Sequence, residues 1–219
     1  MTMRIVSALL LLATHVAAFA AEEPKIETEQ QKLSYVLGYQ LAQMIKRQSF
    51  DVDLEVLMQA IRDEFGGSGL KLDQAEMQAA VHGYISAKNL KAGNDFLASN
   101  KAQEGVVALP SGLQYKVIQA GGGKKPAATD TVIVHYRGYL ISGEEFDSSY
   151  ARGEPATFAV NEIITGWQEA LQLMSEGAKW QLYVPPALAY GDKGAGPRIG
   201  PNETLIFEIE LVEIKQQVQ

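Results

Sequence analysis

The chain has 219 residues, of which 47% are hydrophobic and 21% charged, a composition typical of one large or two small globular domains. It contains no cysteine, which excludes disulfides, thiol nucleophiles and cysteine-ligated zinc. Its net charge of −7 argues against nucleic acid as a partner, because binding to phosphates needs a basic face.

The first twenty residues, 1–20, are predicted to be a signal peptide rather than part of the fold. Arg4 supplies a positive start, and residues 5–13 form an apolar segment too short to span a membrane. Residues 18–20 then fit a cleavage site, so the mature chain is expected to begin near Ala21. An uncleaved membrane anchor is the alternative, and the absence of cysteine excludes a lipoprotein anchor.

The next part of the chain, as far as Pro110, predicts three helices, because apolar residues recur at spacings of three and four. Asp53 is expected to cap the second helix, and Asp73 with Glu76 forms a capping-box pattern at the start of the long third helix. Two glycines in that helix are expected to weaken it by about 1 kcal/mol each relative to alanine. These glycines are Gly83 and Gly93.

The first two helices are too short to bury their apolar faces alone. Their apolar residues are Leu33, Leu37, Leu41, Met44 and Ile45 in the first, and Leu54, Leu57, Met58, Ile61 and Phe65 in the second. A second copy of the chain could cover these faces, since most soluble oligomers are twofold homodimers. An intramolecular helical bundle is the alternative.

The remaining half predicts short strands and one helix. Val132, Val134 and Tyr136 alternate with polar or outward residues, and the same alternation recurs in 113–117, 180–184 and 205–212. Asn161 is expected to cap a helix that begins near Glu162. Segment 190–201, rich in glycine and proline, predicts a long functional loop. Strands with a single helix predict an α+β domain in which an antiparallel sheet wraps the helix.

Aromatic residues are concentrated in this half. Side chains of this type at strand and helix spacing usually belong to a packed core. The alternative is a concave apolar pocket into which Asp147 and two tyrosine hydroxyls project. No metal-ligand cluster and no nucleophile with a neighbouring base is predicted. The aromatic residues are Tyr136, Phe146, Phe158, Trp167, Tyr190 and Phe207.

Five motifs in this half occur in a fixed order. They are VHYRGYL, FDSSY, F-x-V-x-x-I-I-x-GW, YVPP-x-LAYG and GPNETLIFEIELVEI. Together they resemble an FKBP-type peptidyl-prolyl cis/trans isomerase domain over about Gln114 to Lys215. With the helical half, the chain is similar to the Mip/FkpA/FklB group of bacterial FKBPs.

The resemblance implies a fold and a domain organisation. An all-helical dimerisation domain at 21–72 is followed by a long connecting helix at 73–108. The isomerase domain at 109–219 is then an antiparallel half-barrel sheet wrapped on one short helix. In this arrangement the first helices of two copies intertwine and the chain is a homodimer.

The resemblance also implies a function. The chain is expected to accelerate rotation about X–Pro bonds in unfolded or partly folded exported proteins, in the periplasm or in association with the outer membrane or cell surface. It needs no cofactor and no metal, and macrolides such as FK506 are expected ligands. Chaperone activity is expected as well. The alternatives are a dimeric chaperone with little isomerase activity and a pocket for a small apolar ligand.

The site residues follow from the motifs, residue by residue. The resemblance implies catalytic roles for Tyr136, Phe146, Asp147, Ile164, Trp167 and Tyr190. It implies substrate binding by Phe158, Ile163, Phe207 and Ile199. Ala156, the short segment between Phe158 and Ile163, and Gly200 after Ile199 depart from the pattern of small family members. These departures concern the loop contacts and the binding of macrolides.

Overall fold

The computed structural model describes residues 25–215, so the predicted signal peptide lies outside the described residues. The chain divides into two compact units, one ending at Leu70 and the other beginning at Lys71. Within 25–215, no helix combines the length and the apolar character needed to cross a membrane.

The first unit contains two helices, α1 (Glu29–Arg47) and α2 (Leu54–Gly66). Asp53 caps α2 as predicted, because its carboxylate accepts from the backbone N–H groups of the first turn. Gly67 ends the helix in the left-handed conformation. No residue of either helix is buried, and the Phe65 side chain is 91% exposed. Of the predicted apolar faces, Leu41, Ile45, Leu57 and Ile61 are partly buried and the other residues are exposed.

The second unit begins with the long helix α3 (Gln74–Asn100). The predicted capping box is confirmed: Asp73 accepts from the Glu76 backbone N–H at 2.8 Å, and the Glu76 carboxylate accepts from the Asp73 N–H at 2.8 Å. Two residues of this helix are buried, Gly93 and Asn100.

A seven-stranded sheet follows, and all its strand pairs are antiparallel. The spatial order is β1-β2-β6-β7-β3-β4, and β5 pairs with β3 beside β4. The long β3–β7 pair is the centre of the sheet. The strands are β1 (Val106–Ala108), β2 (Gln114–Gln119), β3 (Thr131–Leu140), β4 (Glu145–Ser148), β5 (Ala156–Ala159), β6 (Lys179–Val184) and β7 (Leu205–Lys215).

Two helices accompany the sheet, the single turn α4 (Ser149–Arg152) and α5 (Thr165–Leu173). Side chains of α5 join the inner faces of β3, β6 and β7 in one core. Trp167, Leu171 and Met174 are at most 4% exposed. The predicted α+β arrangement, helices followed by an antiparallel sheet packed on one short helix, is confirmed.

The predicted start of α5 was wrong. Asn161 lies in a 3-10 turn (Val160–Glu162), and Ile163 and Ile164 are extended, so the helix begins at Thr165. The backbone of Ile164 takes the cap position without a side-chain cap. The short strand β1 was not predicted, because three residues give too little alternation to recognise.

Candidate active site

A cavity of about 330 Å³ opens between the start of α5 and the curved sheet. Its size is within the range of small-ligand pockets. Nine of the ten predicted site residues line it, and Glu162 does so without having been predicted. Ile199 is the exception: it packs against the edge of the core but does not line the cavity. The lining residues are Tyr136, Phe146, Asp147, Phe158, Glu162, Ile163, Ile164, Trp167, Tyr190 and Phe207.

Trp167 forms the aromatic centre of the pocket. Its indole is 4% exposed and meets three rings nearly at right angles, Tyr136 at 5.2 Å, Phe158 at 5.8 Å and Phe207 at 5.2 Å between centroids. Edge-to-face pairs of this type are favourable because the positive ring edge meets a negative ring face. The packing fixes the indole, so the core and pocket interpretations of these aromatics are both correct.

One wall of the pocket depends on a glycine in β3. Phe146 and Phe207 pack edge to face with centroids 5.6 Å apart. A Cβ atom at Gly138 would lie 2.6 Å from Phe146 Cζ and 3.0 Å from Phe207 Cε1. Because Gly138 has no side chain, both rings can lie directly against β3.

The start of α5 brings two isoleucines to the pocket. Gly166 allows α5 to approach β6, because a Cβ atom there would lie 2.6 Å from Val184 Cγ1. Gln168 Nε2 donates to the Ile163 carbonyl at 2.7 Å and holds the extended entry to the helix. Since Ile164 precedes the helix, its N–H has no hydrogen-bond partner among residues 25–215.

The polar side of the pocket is a network of three side chains. The Tyr136 hydroxyl donates to Asp147 Oδ2, Arg152 Nη1 donates to Asp147 Oδ1, and Arg152 Nη2 donates to the Tyr136 oxygen at 2.8 Å. The Ser148 N–H also donates to Asp147 Oδ1 at 2.8 Å. The carboxylate is thus held by donors on both oxygens.

This network determines the charge of the pocket. Partial burial acts to raise the pKa of Asp147, but the hydrogen bonds from Tyr136 and Arg152 outweigh it and hold the pKa below its ordinary value. Burial, with the hydrogen bond to Asp147, raises the pKa of Tyr136. At neutral pH the site therefore contains an ionised carboxylate, a neutral phenol and a guanidinium.

Arg152 belongs to this network but was missed by the sequence reasoning. It lies at the end of α4, which Ser148 caps and Gly153 terminates at φ 80°. The single turn of α4 places the Arg152 guanidinium over the Tyr136 ring, 5.4 Å from the ring centroid. The available signal was a cation five residues after the only carboxylate of the predicted site.

Tyr190 lines the pocket from the loop that precedes β7. Its hydroxyl has no hydrogen-bond partner within the described part of the chain. Burial raises the pKa of Tyr190, and the nearby negative charge of Asp147 adds to the effect. The hydroxyl is therefore a neutral donor at physiological pH and is available to a bound molecule.

Comparison with known proteins agrees with this architecture. Residues 122–212 match the family described as FKBP-type peptidyl-prolyl cis-trans isomerase, and residues 30–117 match the domain amino terminal to it. Outer membrane protein MIP of Legionella longbeachae is 43% identical over 231 residues, covering 99% of both chains. Peptidyl-prolyl cis-trans isomerase Mip of Coxiella burnetii is 40% identical, covering 88% of this chain and 90% of the relative.

A solved structure is similar as well. The crystal structure of FkpA from Escherichia coli has a TM-score of 0.62 and 33% sequence identity, covering 89% of this chain and all of that one. The fold, the pocket and these matches define the class: the chain belongs to the FKBP-type peptidyl-prolyl cis-trans isomerases. Within that family it belongs to the Mip/FkpA group, whose isomerase domain follows an amino-terminal helical domain.

Proposed function

We propose that the aromatic pocket is where X–Pro bonds of exported, incompletely folded proteins are isomerised. Rotation must cross a barrier of about 18–20 kcal/mol because amide resonance is lost as the C–N bond twists. The twisted amide has less charge separation than the planar one. A dry apolar pocket that binds the twisted form better therefore lowers the barrier without a nucleophile or a net proton transfer.

Each group in the pocket then has a defined role. Trp167 supports the prolyl ring from below, and the phenyl rings enclose it. The Ile164 N–H and the Tyr190 hydroxyl donate to substrate carbonyls, for which both are free among the described residues. Asp147 lies beside the twisting amide in an orientation fixed by Tyr136 and Arg152.

The assignment is carried by the convergence of nine motif-predicted residues on one apolar cavity. The test is catalysis of proline-limited refolding and of X–Pro peptides by the mature protein. Phe146→Ala and Asp147→Ala should each reduce kcat/KM at least about tenfold, a loss of about 1.4 kcal/mol of transition-state stabilisation. Far-UV circular dichroism and the thermal melt should stay close to wild type. If both variants keep full activity, the reaction occurs elsewhere.

The proposed assembly is a homodimer formed through residues 21–72, with 73–108 as the connecting segment and 109–219 as the isomerase domain. The helix in that segment is shorter than predicted: α3 ends at Asn100, and Val106–Ala108 form β1. Support comes from α1 and α2, which bury none of their residues within one chain. Leu33, Leu37 and Leu54 are between 56% and 63% exposed. A second copy would cover these side chains in a twofold interface. Sedimentation equilibrium distinguishes this dimer from a monomer.

The proposed location is the periplasm, with association to the outer membrane or cell surface as the alternative. The predicted signal peptide supports export, and a relative covering 99% of the chain is named an outer membrane protein. Fractionation of cells producing the full sequence, followed by N-terminal sequencing of the mature protein, tests both the location and cleavage after Ala20.

Chaperone activity is the second proposed function, favoured by the exposed apolar side chains of the first unit. Apolar surface of the first unit that a second copy leaves uncovered would be available to incompletely folded chains. Asp147→Ala, with impaired isomerisation, should still suppress aggregation of an unfolding client. If aggregation suppression is lost together with isomerase activity, the two functions are not separable in this way.

A further inference from the structure

The segment from Tyr190 to Thr204, here called the active-site loop, brings Tyr190 to the pocket. Its two ends are bonded to each other. The Asn202 N–H donates to the Gly191 carbonyl at 2.8 Å, and the Asn202 side chain donates to Asp192 Oδ1 at 3.2 Å. Asn202 adopts φ 54°, in the left-handed region that asparagine tolerates. The base of the loop is thus one bonded unit.

Helix α3 contacts this base directly. The Ser86 hydroxyl donates to Asp192 Oδ1 at 2.8 Å and accepts from Asn202 Nδ2 at 2.7 Å, so it joins both ends of the loop. One turn further along, Asn89 Nδ2 donates to the Pro201 carbonyl at 2.9 Å. His82 Nε2 also lies 3.0 Å from the Asp192 carbonyl, so three side chains of α3 contact the base of the loop.

Gly93 provides a contact of a different type, a close approach of the backbone. A Cβ atom there would lie 2.2 Å from Thr204 Oγ1 and 3.1 Å from Thr204 Cβ, and both residues are buried. Real Cβ contacts essentially never fall below 3.0 Å, so the close approach requires glycine. Gly83 on the same helix has nothing within 4 Å of the corresponding position. Ser86, Asn89 and Gly93 follow each other at spacings of three and four, which places them on one helix face.

We propose that this face of α3 braces the active-site loop, and that Ser86, Asn89 and Gly93 are positioning residues that act on catalysis through Tyr190. The inference rests on the proposed role of the pocket. The loop between its two ends is rich in glycine, whose backbone freedom leaves its conformation weakly determined from within. The contacts from α3 converge on the base of the loop, so they restrict the segment from which Tyr190 reaches the pocket.

The experiment compares Gly93→Ala with Gly83→Ala in the full mature chain. Both add one methyl group to α3, but only the first enters the contact with Thr204. We expect Gly93→Ala to lower kcat/KM for X–Pro peptides about tenfold, since misplacing a binding group by about 1 Å is costly. Gly83→Ala should remain within about twofold of wild type. In Gly93→Ala with Thr204→Ala, activity should largely return, because the 2.2 Å clash is removed.

A second measurement separates a positioning role from a purely structural one. Hydrogen–deuterium exchange of the active-site loop should be faster in Gly93→Ala, whereas exchange in β3 and β7 stays at the Gly83→Ala level. If loop exchange and kcat/KM in Gly93→Ala both equal those of Gly83→Ala, the proposal is overturned. Should Gly93→Ala fail to fold, Ser86→Ala decides with the same two readouts, and an unchanged value of both overturns it.

Failure of the proposed function and failure of the brace give different results in these experiments. An inactive wild-type protein would refute the function assigned to the pocket. The exchange measurement would still report whether α3 holds the loop. Active wild type with no effect of Gly93→Ala or Ser86→Ala would refute the brace alone.

Discussion

Gly138→Ala is the sharpest test of how the pocket wall is built. The substitution is made near the end of β3, opposite Asp147 in the strand register. The new methyl group would lie 2.6 Å from Phe146 Cζ, 2.7 Å from Phe146 Cε2 and 3.0 Å from Phe207 Cε1. Ordinary contact begins at 3.4 Å. The edge of the Phe146 ring must therefore move by about 0.8 Å, the difference between 3.4 and 2.6 Å.

The displacement is into the pocket or out to solvent, and either direction changes the surface that meets the substrate. A misplacement of about 1 Å can reduce a rate by up to about 100-fold, so we expect kcat/KM to fall about 10- to 100-fold. This loss corresponds to about 1.4–2.7 kcal/mol of transition-state stabilisation. Overpacking costs about 1–3 kcal/mol of stability, towards the lower end here because Phe146 is only partly buried.

A protease-coupled assay on X–Pro peptides measures the effect, with Gly122→Ala as the matched control because nothing lies within 4 Å of its Cβ position. Phe146→Leu, which lacks the two clashing ring atoms, completes a double-mutant cycle with Gly138→Ala. The alanine should have little further effect in the leucine background. The reasoning is refuted if Gly138→Ala is as active as Gly122→Ala, or if its effect is undiminished beside Phe146→Leu.

Two further predictions concern charge and assembly. Arg152→Leu should lower the free energy of unfolding by at most about 1 kcal/mol at pH 7, because the ion pair with Asp147 is nearly half exposed. Since the pKa of Asp147 is lowered in the folded state, this contribution is present above the unfolded pKa and is lost as pH falls below about 4. Urea unfolding measures it as the difference in the free energy of unfolding between wild type and Arg152→Leu. A difference that stays constant down to acid pH would contradict the prediction. Leu37→Glu should weaken the proposed dimer at least about 100-fold in sedimentation equilibrium, because burying each leucine is worth about 1.5–3 kcal/mol and a twofold axis uses it twice. Activity on short peptides should be unchanged, and an unaltered dissociation constant would place Leu37 outside the interface.

Local signals in the sequence were sufficient where a structure depends on near neighbours. The alternation around Val134 identified β3, and the caps at Asp53 and Asp73 form as expected, because each needs only residues within one turn. The same reasoning failed at Asn161. This residue type caps helices, but here the chain first makes a 3-10 turn and an extended step before α5 begins.

Contacts between distant segments could not be predicted in this way. Gly83 and Gly93 have the same local meaning in a helix, and both were expected only to weaken it. The structure separates them, because Gly93 lies against Thr204, 111 positions further along the chain, whereas Gly83 is in open space. Arg152 was missed for a related reason. It follows Asp147 by five residues, but it reaches the carboxylate only because α4 turns the chain back.

The state of Asp147 bears on the type of catalysis that the pocket supports. A general base works best when its pKa is near the working pH. The pKa of Asp147 is lowered, away from neutral pH, because Tyr136, Arg152 and the Ser148 N–H all donate to its oxygens. A carboxylate held in this way is a poor proton acceptor but a fixed negative charge. Rotation about an X–Pro bond requires no proton to be transferred, so in the proposed function Trp167 and its neighbouring rings contribute by orienting the substrate and excluding water.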